Sequence, residues 1–255
     1  GWDMPLHYGS IIDEHQQVRT SGGLFDVSHM GRVRFKGKDA CTLLDRLCTR
    51  QILGMSEGQI RYSLVCNEAG GCRDDVLIYR EGAEQYMMVC NGANREKIWN
   101  HIQLNIGELS CKVVDDTEST AMIAMQGPRA IELLSTVSSD ISNLKRYRFL
   151  TKNFFIASVM ISRTGYTGED GVEIILPKNF AQKAIDMLLQ NGAANELVKP
   201  TGLGARDSLR LEAGMPLYGH ELDEETDPLS AGLQFAVKLD KGVDENEAEP
   251  FIGQE

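Results

Sequence analysis

Tryptophan and proline are scarce in this 255-residue chain, with 2 Trp and 7 Pro. Nowhere do apolar residues approach the ~18 in succession that a membrane-spanning helix needs. No low-complexity tract or long Pro/Ser linker divides the chain. A GxxxxGKS/T phosphate loop, an HExxH helix, a GxSxG elbow and any His/Cys metal-ligand spacing are all absent. The nearest approach to a dinucleotide fingerprint is Gly202-Leu203-Gly204-Ala205-Arg206-Asp207. It has Asp where the third glycine belongs, and no strong β-run leads into it. The six cysteines (Cys41, Cys48, Cys66, Cys72, Cys90, Cys111) form no CxxC pair, so they read as reduced, mostly half-buried thiols. Positive charge is also short: 26 Lys+Arg against 37 Asp+Glu leave a net charge of −11, without the electrostatic footprint of a nucleic-acid binder. The start, Gly1-Trp2-Asp3-Met4-Pro5, reads as neither signal nor transit peptide, and without an initiator Met it is expected to lie inside a longer chain. These absences predict a soluble, intracellular, globular protein of one or two domains, with no nucleic-acid or membrane partner.

What is present is organised twice. Gly37-Lys38-Asp39-Ala40-Cys41-Thr42-Leu43-Leu44 and Gly127-Pro128-Arg129-Ala130-Ile131-Glu132-Leu133-Leu134 share G-x-x-A-x-x-L-L. An apolar strand precedes each glycine: Val33 and Phe35 between Arg32, Arg34 and Lys36, and then Ala121 to Met125. A helix follows each, with apolar residues at i, i+3, i+4 and i+7: Ala40, Leu43, Leu44, Leu47, and Ala130, Leu133, Leu134, Val137. Val76 to Tyr79 and Val159 to Ser162 then read as strands, each leading through a glycine-bearing turn into another (Gln85 to Asn91; Val172 to Leu176). Helices near Asn94 to His101 and Asn179 to Leu189 close the copies. The chain is thus predicted to be α+β, with two ferredoxin-like βαββα-type repeats at about 31–115 and 120–190 and mostly antiparallel sheets. Two such halves are expected to leave a cleft suited to a small molecule. Two more helices bracket the repeats. One is capped by Ser10 with Ile11, Ile12, His15 and Val18 on one face; the other runs from Leu203 to Ala213 and ends at Gly214.

Three polar clusters remain. Gly70-Gly71-Cys72-Arg73-Asp74-Asp75 enters an apolar strand, where successive side chains point to opposite faces. Asp75, Leu77 and Tyr79 therefore share one face and Asp74, Val76 and Ile78 the other. Spacing alone leaves both aspartates open to a solvated turn role. Arg163-Thr164-Gly165-Tyr166-Thr167-Gly168-Glu169-Asp170-Gly171-Val172-Glu173 reads as a tight polar turn between strands, or equally as a surface hairpin loop. His220 to Asp227 is acidic but lacks EF-hand spacing, so it reads as a solvated loop.

Taken together, several stretches resemble the aminomethyltransferase, or T protein, family of the glycine cleavage system. They are Gly1-Trp2-Asp3-Met4-Pro5, Gly23 to Gly31, Cys66 to Leu77, Ala124-Met125-Gln126-Gly127-Pro128, Ser162 to Glu173, Gly202 to Gly219, and Val237-Lys238-Leu239-Asp240-Lys241. The resemblance implies transfer of a one-carbon unit from the aminomethyl-loaded lipoyl arm of the H protein to tetrahydrofolate, with release of ammonia and no metal. It implies a folate-binding region over 1–240, inside a three-domain cloverleaf, with 241–255 an acidic linker and the start of the missing C-terminal barrel. It assigns catalysis to Asp75, pterin binding to Glu173, and a substrate contact to Arg206. Tyr62, Tyr79, Asn91, Tyr166 and Met30 match positions lining the folate cavity. The compartment it implies is the bacterial cytoplasm, or the mitochondrial matrix in a eukaryote.

The residue types suit that chemistry. A carboxylate can accept both the amino and ring N–H of a pterin, and a second carboxylate can stabilise the cationic carbon formed as ammonia leaves. Two departures from the family pattern stand out: the barrel, with the tyrosine it contributes to the site, is missing, and Gly242 to Pro250 is an acidic insertion. Apolar residues around Leu233 to Leu239 are accordingly expected to be left partly uncovered. Two other readings stay open. One is the folate domain of a dimethylglycine or sarcosine dehydrogenase, or a folate-dependent demethylase. The other is a non-catalytic folate module of iron–sulfur cluster maintenance; Phe251-Ile252-Gly253-Gln254-Glu255 shares the G-Q-E of its motif but has Phe251 in place of its cysteine.

Overall fold

A computed structural model of the chain describes residues 2–136, 138–154, 157–190, 197–243 and 248–254. In chain order the elements begin with α1 (Ile11–Thr20), β1 (Gly23–Asp26), β2 (Gly31–Lys36) and α2 (Ala40–Leu47). Next come β3 (Ile60–Cys66), β4 (Cys72–Gly82), β5 (Gln85–Cys90), α3 (Arg95–Ile106) and β6 (Lys112–Asp115). Then follow β7 (Thr120–Gln126), α4 (Ala130–Ser135), α5 (Asp140–Asn143), β8 (Phe149–Phe154) and β9 (Ala157–Ser162). The last are β10 (Gly171–Pro177), α6 (Ala181–Gln190), β11 (Lys199–Pro200) and α7 (Leu203–Glu212). They form two compact units: Gly1–His29 with Glu118–Met215, and Met30–Thr117 with Pro216–Glu255.

The unit built on Met30–Thr117 contains a sheet of order β3-β4-β5-β2-β6, antiparallel throughout. The other contains a sheet of order β8-β9-β10-β7-β1-β11. Strand for strand the orders agree, with β1 inserted beside β7. Each sheet has one strand more before its hairpin (β3, β8) and one more after its last helix (β6, β11) than apolar runs alone indicate. β6 and β11 are short, and β3 and β8 interleave polar residues, so neither pair stands out in sequence. Within this sheet β5 meets β2 antiparallel, as expected for the returning hairpin strand of a split βαβ unit. Among the described strands only β1 and β11 pair in parallel.

Helices cover one face of each sheet. Ala40, Leu43, Leu44 and Leu47 pack with Val33, Phe35, Val76, Ile78, Met88, Ile98 and Ile102. In the other unit Ala130, Leu133 and Leu134 pack with Ile123, Met125, Ile161, Val172, Ile174 and Leu176; Val137 lies outside the described residues. Arg32 departs from its expected polar, outward position. It is fully buried, with its guanidinium donating to the carbonyls of Met30 and Thr117 at 2.5 Å each. All six cysteines are free, and all but Cys41 are buried.

The bracketing helices set up the polar groups. Ser10 caps α1 by accepting from Asp13 N–H, but the buried face is Glu14, His15 and Val18, while Ile12 is exposed. Glu14 turns inward because its carboxylate receives three backbone N–H groups: Tyr8 (2.7 Å), Gly9 (3.0 Å) and Gly202 (2.8 Å). The chain at Pro5 and Leu6 also accepts from Leu203 and Gly204 N–H. Contact there is so close that a Cβ on Gly202 would lie 2.3 Å from the Leu6 carbonyl oxygen. The start of α7 is thereby fixed.

In the second unit, the buried Lys241 ammonium donates to the carbonyls of Asp45 (2.5 Å) and Cys48 (2.7 Å) and pairs with the Asp45 carboxylate at 3.4 Å. Phe251 is buried, and Gln254 Nε2 donates to the Leu239 and Lys241 carbonyls. Residues 244–247 of the acidic insertion, and Glu255, lie outside the described residues. Of the apolar residues at 233–239, Leu233 and Ala236 are buried, whereas Phe235 and Leu239 remain 63% and 56% exposed.

Candidate functional site

In the unit of β4 the double glycine is explained by what surrounds it. Gly70 has φ +84, and a Cβ on Gly71 would lie 1.8 Å from the Glu224 carbonyl oxygen. Asn67 binds the same turn, accepting from Ala69 and Gly71 N–H and donating to Glu224 O. The acidic stretch 220–227 thus packs on this turn. Immediately after it, the β3–β4 register steps from Cys66↔Cys72 to Val65↔Asp74, skipping Arg73. Such a bulge re-aims the side chains that follow. Asp74 joins the core face with Val76 and Ile78; Asp75 points to the face opposite the helices, directly across from Leu64.

Both aspartates depart from the solvated-turn reading. Asp74 is fully buried and Asp75 half-buried. Asn91, at the end of β5, brings them together. Its Nδ2 donates to Asp74 Oδ1 (2.8 Å) and to Asp75 Oδ1 (2.7 Å), and its backbone N–H donates to Asp74 Oδ2 (2.9 Å). Asn94 Nδ2 adds a 2.6 Å bond to Asp74 Oδ1. Burial, and then the neighbouring Asp75 charge, push the Asp74 carboxyl up to about 7 despite these donors. Burial also raises Asp75, opposed by its bonds from Asn91 and from the Tyr62 hydroxyl. Carboxyls raised by burial in this way are suited to proton or electrostatic work. Tyr62 stacks on Phe235, with ring centroids 5.9 Å apart. One expected site residue lies apart from this group. Tyr79 is fully buried four residues along β4 from Asp75, about 13 Å at strand rise. Met30 is held through its carbonyl by Arg32.

In the other unit, Glu173 lies on the central strand β10 between Ala124 and Ser162, and it is 95% buried, with 5% of its surface exposed. Like Asp75, it faces away from the helix-covered side. Thr164 Oγ1 donates to its Oε2 at 2.5 Å, and Ser162 lies 3.0 Å from Thr164. Arg206, on α7, stands with its guanidinium carbon 4.7 Å from the centre of the Tyr166 ring. Burial lowers the Arg206 guanidinium from its ordinary value, and Glu173 and Tyr166 oppose that shift. Its Nη1 is buried with no hydrogen-bond partner among the described residues. A buried N–H donor left open costs about 1–3 kcal/mol, so this atom fits a polar ligand.

The turn carrying Tyr166 is built on Gln126, which motif reading passes over as a role. Fully buried, its Nε2 donates to the carbonyls of Met125, Thr164 and Val172. A Cβ on Gly165 would lie 1.8 Å from Gln126 Oε1. Arg163 and Asp170 close the turn with bonds of 3.1 and 2.5 Å. Thr164, Gln126, Asp74 and Asn94 carry no sequence signal of their own, since each is defined by partners distant along the chain.

No group of three or more His, Cys, Asp or Glu placed to hold a metal occurs among the described residues. No described helix is long and apolar enough to cross a membrane.

The fold and these carboxylates define an α+β protein that carries Asp74, Asp75 and Glu173 on the strands of its two sheets. Residues 1–241 match the GCVT N-terminal domain. The chain belongs to that family. It is 50% identical over 255 residues to an aminomethyltransferase of Rubrobacter xylanophilus, covering all of this chain and 65% of that protein. It is 45% identical over 245 residues to one from Caldanaerobacter subterraneus subsp. tengcongensis, covering 95% of this chain and 65% of the relative. The chain thus spans about two thirds of the length of these relatives. The glycine cleavage system aminomethyltransferase T of Bartonella henselae matches in structure over 100% of this chain and 67% of its own, with a TM-score of 0.89 and 33% identity. A heterotetrameric sarcosine oxidase from Corynebacterium shares the fold over 73% of this chain, with a TM-score of 0.53 and 14% identity.

Proposed function

We propose that this chain carries the folate-binding and catalytic residues of an aminomethyltransferase. It would move a one-carbon unit from the aminomethyl-loaded lipoyl arm of the H protein to tetrahydrofolate, with release of ammonia. The observation that carries this reading is the Asp75 carboxylate, half-buried at the bulge of β4 and oriented by Asn91. A preorganised carboxylate of this kind stabilises positive charge developing on the transferred carbon as ammonia departs. When bound, the folate supplies the nitrogen that takes the carbon. Glu173, held by Thr164, would accept the pterin's paired N–H donors. The open Nη1 of Arg206 would donate to an acceptor of the same ligand, and the Tyr166 ring suits a flat heterocycle. Tyr62 would hold the Asp75 carboxylate in its charged form.

The names of the relatives support this reading over the dehydrogenase-domain and iron–sulfur alternatives; for the first of these only the fold shared with a sarcosine oxidase speaks. Because these aminomethyltransferases come from bacteria, the bacterial cytoplasm is the compartment this reading carries. The test is to mix the full-length protein with aminomethylated H protein and tetrahydrofolate and to follow ammonia. Folate-dependent ammonia release is expected; release unaffected by omitting folate, or none at all, overturns the proposal.

A further inference from the structure

Asp74 has no part in the reading above. Its side chain is nevertheless fully buried, with three N–H groups aimed at it: the backbone and Nδ2 of Asn91 and the Nδ2 of Asn94. An apolar residue of similar size would serve the core face at least as well, because a buried carboxylate must be desolvated. A purely structural role leaves that choice of side chain unexplained.

The geometry of Asn91 supplies a reason. A carboxamide nitrogen carries two N–H bonds, and this one lies 2.8 Å from Asp74 Oδ1 and 2.7 Å from Asp75 Oδ1. Asp74 also takes the Asn91 backbone N–H on its other oxygen at 2.9 Å. Held at both backbone and side chain, the carboxamide cannot rotate away from Asp75. We propose that Asp74 is a positioning residue acting through Asn91: from the core face of the sheet it fixes the N–H that orients the Asp75 carboxylate on the opposite face. The inference rests on Asp75 being the acting carboxylate.

Asp74→Asn exchanges an acceptor oxygen for a donor that opposes the N–H groups of Asn91 or Asn94, and so frees the carboxamide. In the full-length protein, kcat for ammonia release should fall by about 10- to 100-fold, the scale of a small misplacement of a reacting group. The Kd for tetrahydrofolate should stay within threefold. Adding Asn91→Ala to Asp74→Asn should cause no loss beyond that of Asn91→Ala alone, since the effect passes through Asn91. If Asp74→Asn turns over within twofold of the unaltered protein while Asp75→Asn is inactive, the inference falls and Asp75 stands. Losses that multiply in the double variant also overturn it. Normal turnover by Asp75→Asn overturns the underlying reading instead, and the inference with it. Should Asp74→Asn fail to fold, hydrogen exchange of the unaltered protein decides. The Asn91 side-chain N–H signals, identified by their loss in Asn91→Ala, should exchange at least tenfold more slowly than those of exposed Asn residues; equal rates overturn the proposal.

Discussion

The two units place carboxylates on sheets of matching strand order but surround them differently. Glu173 stands alone on the central strand of its sheet, bonded by a threonine hydroxyl and influenced by the Arg206 guanidinium. Asp74 and Asp75 are neighbours on their strand, held by amides, and burial raises both. A single carboxylate beside a cation offers its oxygens to hydrogen-bond donors. Two carboxylates sharing an amide make charge costly, and one of them is poised near neutral pH. On the proposed function, one fold plan carries a recognition group in one unit and a reactive group in the other, and the difference lies in the residues next to each carboxylate.

The sharpest way to break the comparison is Asp75→Asn in the full-length protein. Transfer should drop about 10²–10³-fold, as when one preorganised electrostatic group is removed. Folate affinity should change far less, because an interaction made mainly in the transition state leaves ground-state binding alone. An equal loss in both would place Asp75 with Glu173 as a binding group. Glu173→Gln should behave in the opposite manner. Replacing an acceptor oxygen by a donor should weaken tetrahydrofolate binding by about 1.5–3 kcal/mol, roughly 10- to 100-fold in Kd; unchanged affinity on titration would leave it a structural residue of β10.

Gly165→Ala tests the scaffold beneath Tyr166. Its Cβ would collide with Gln126, so the turn must shift at a cost of about 1–3 kcal/mol, read as a lowered midpoint in urea unfolding. A midpoint equal to that of the unaltered protein would show that the turn is not held on Gln126.

The smallest effect concerns pH. A carboxyl raised in the folded state contributes stability that is complete below the ordinary carboxylate range and is lost as pH rises through its folded value. For Asp74, at about 7, the unfolding free energy should fall by about 1 kcal/mol between pH 6 and pH 8. Asp74→Asn should flatten that part of the profile. A slope that persists in the variant would assign it to another group.

Much of the architecture follows from local patterns. The i, i+3, i+4, i+7 spacing marks α2, and alternating apolar residues mark the strands Val33 and Phe35 belong to. Ser10 caps α1 as its position indicates, and Gly214 follows α7 at φ +67. Alternation also separates Asp74 from Asp75. It could not say how they are surrounded, because Asn91 and Asn94 lie 16 to 20 residues further on and reach them only across the β4–β5 pairing. The same limit hides Arg32, whose partners Met30 and Thr117 lie at opposite ends of its segment. It also shifts the buried face of α1, where His15 and Val18 stay buried but Glu14 turns inward to meet Gly202.

From the amino-acid order come the helices, the strands, the glycine turns and the residue types offered for chemistry, since each depends on neighbours within about four positions. Tertiary structure decided which of those residues acquire chemistry. It skipped Arg73 in the β3 register, brought Asn91 between two aspartates, and buried Arg206 against Tyr166 with one donor left open. The physical reason is that desolvation and hydrogen-bond direction depend on groups brought together across sheets and helices, which local spacing does not encode.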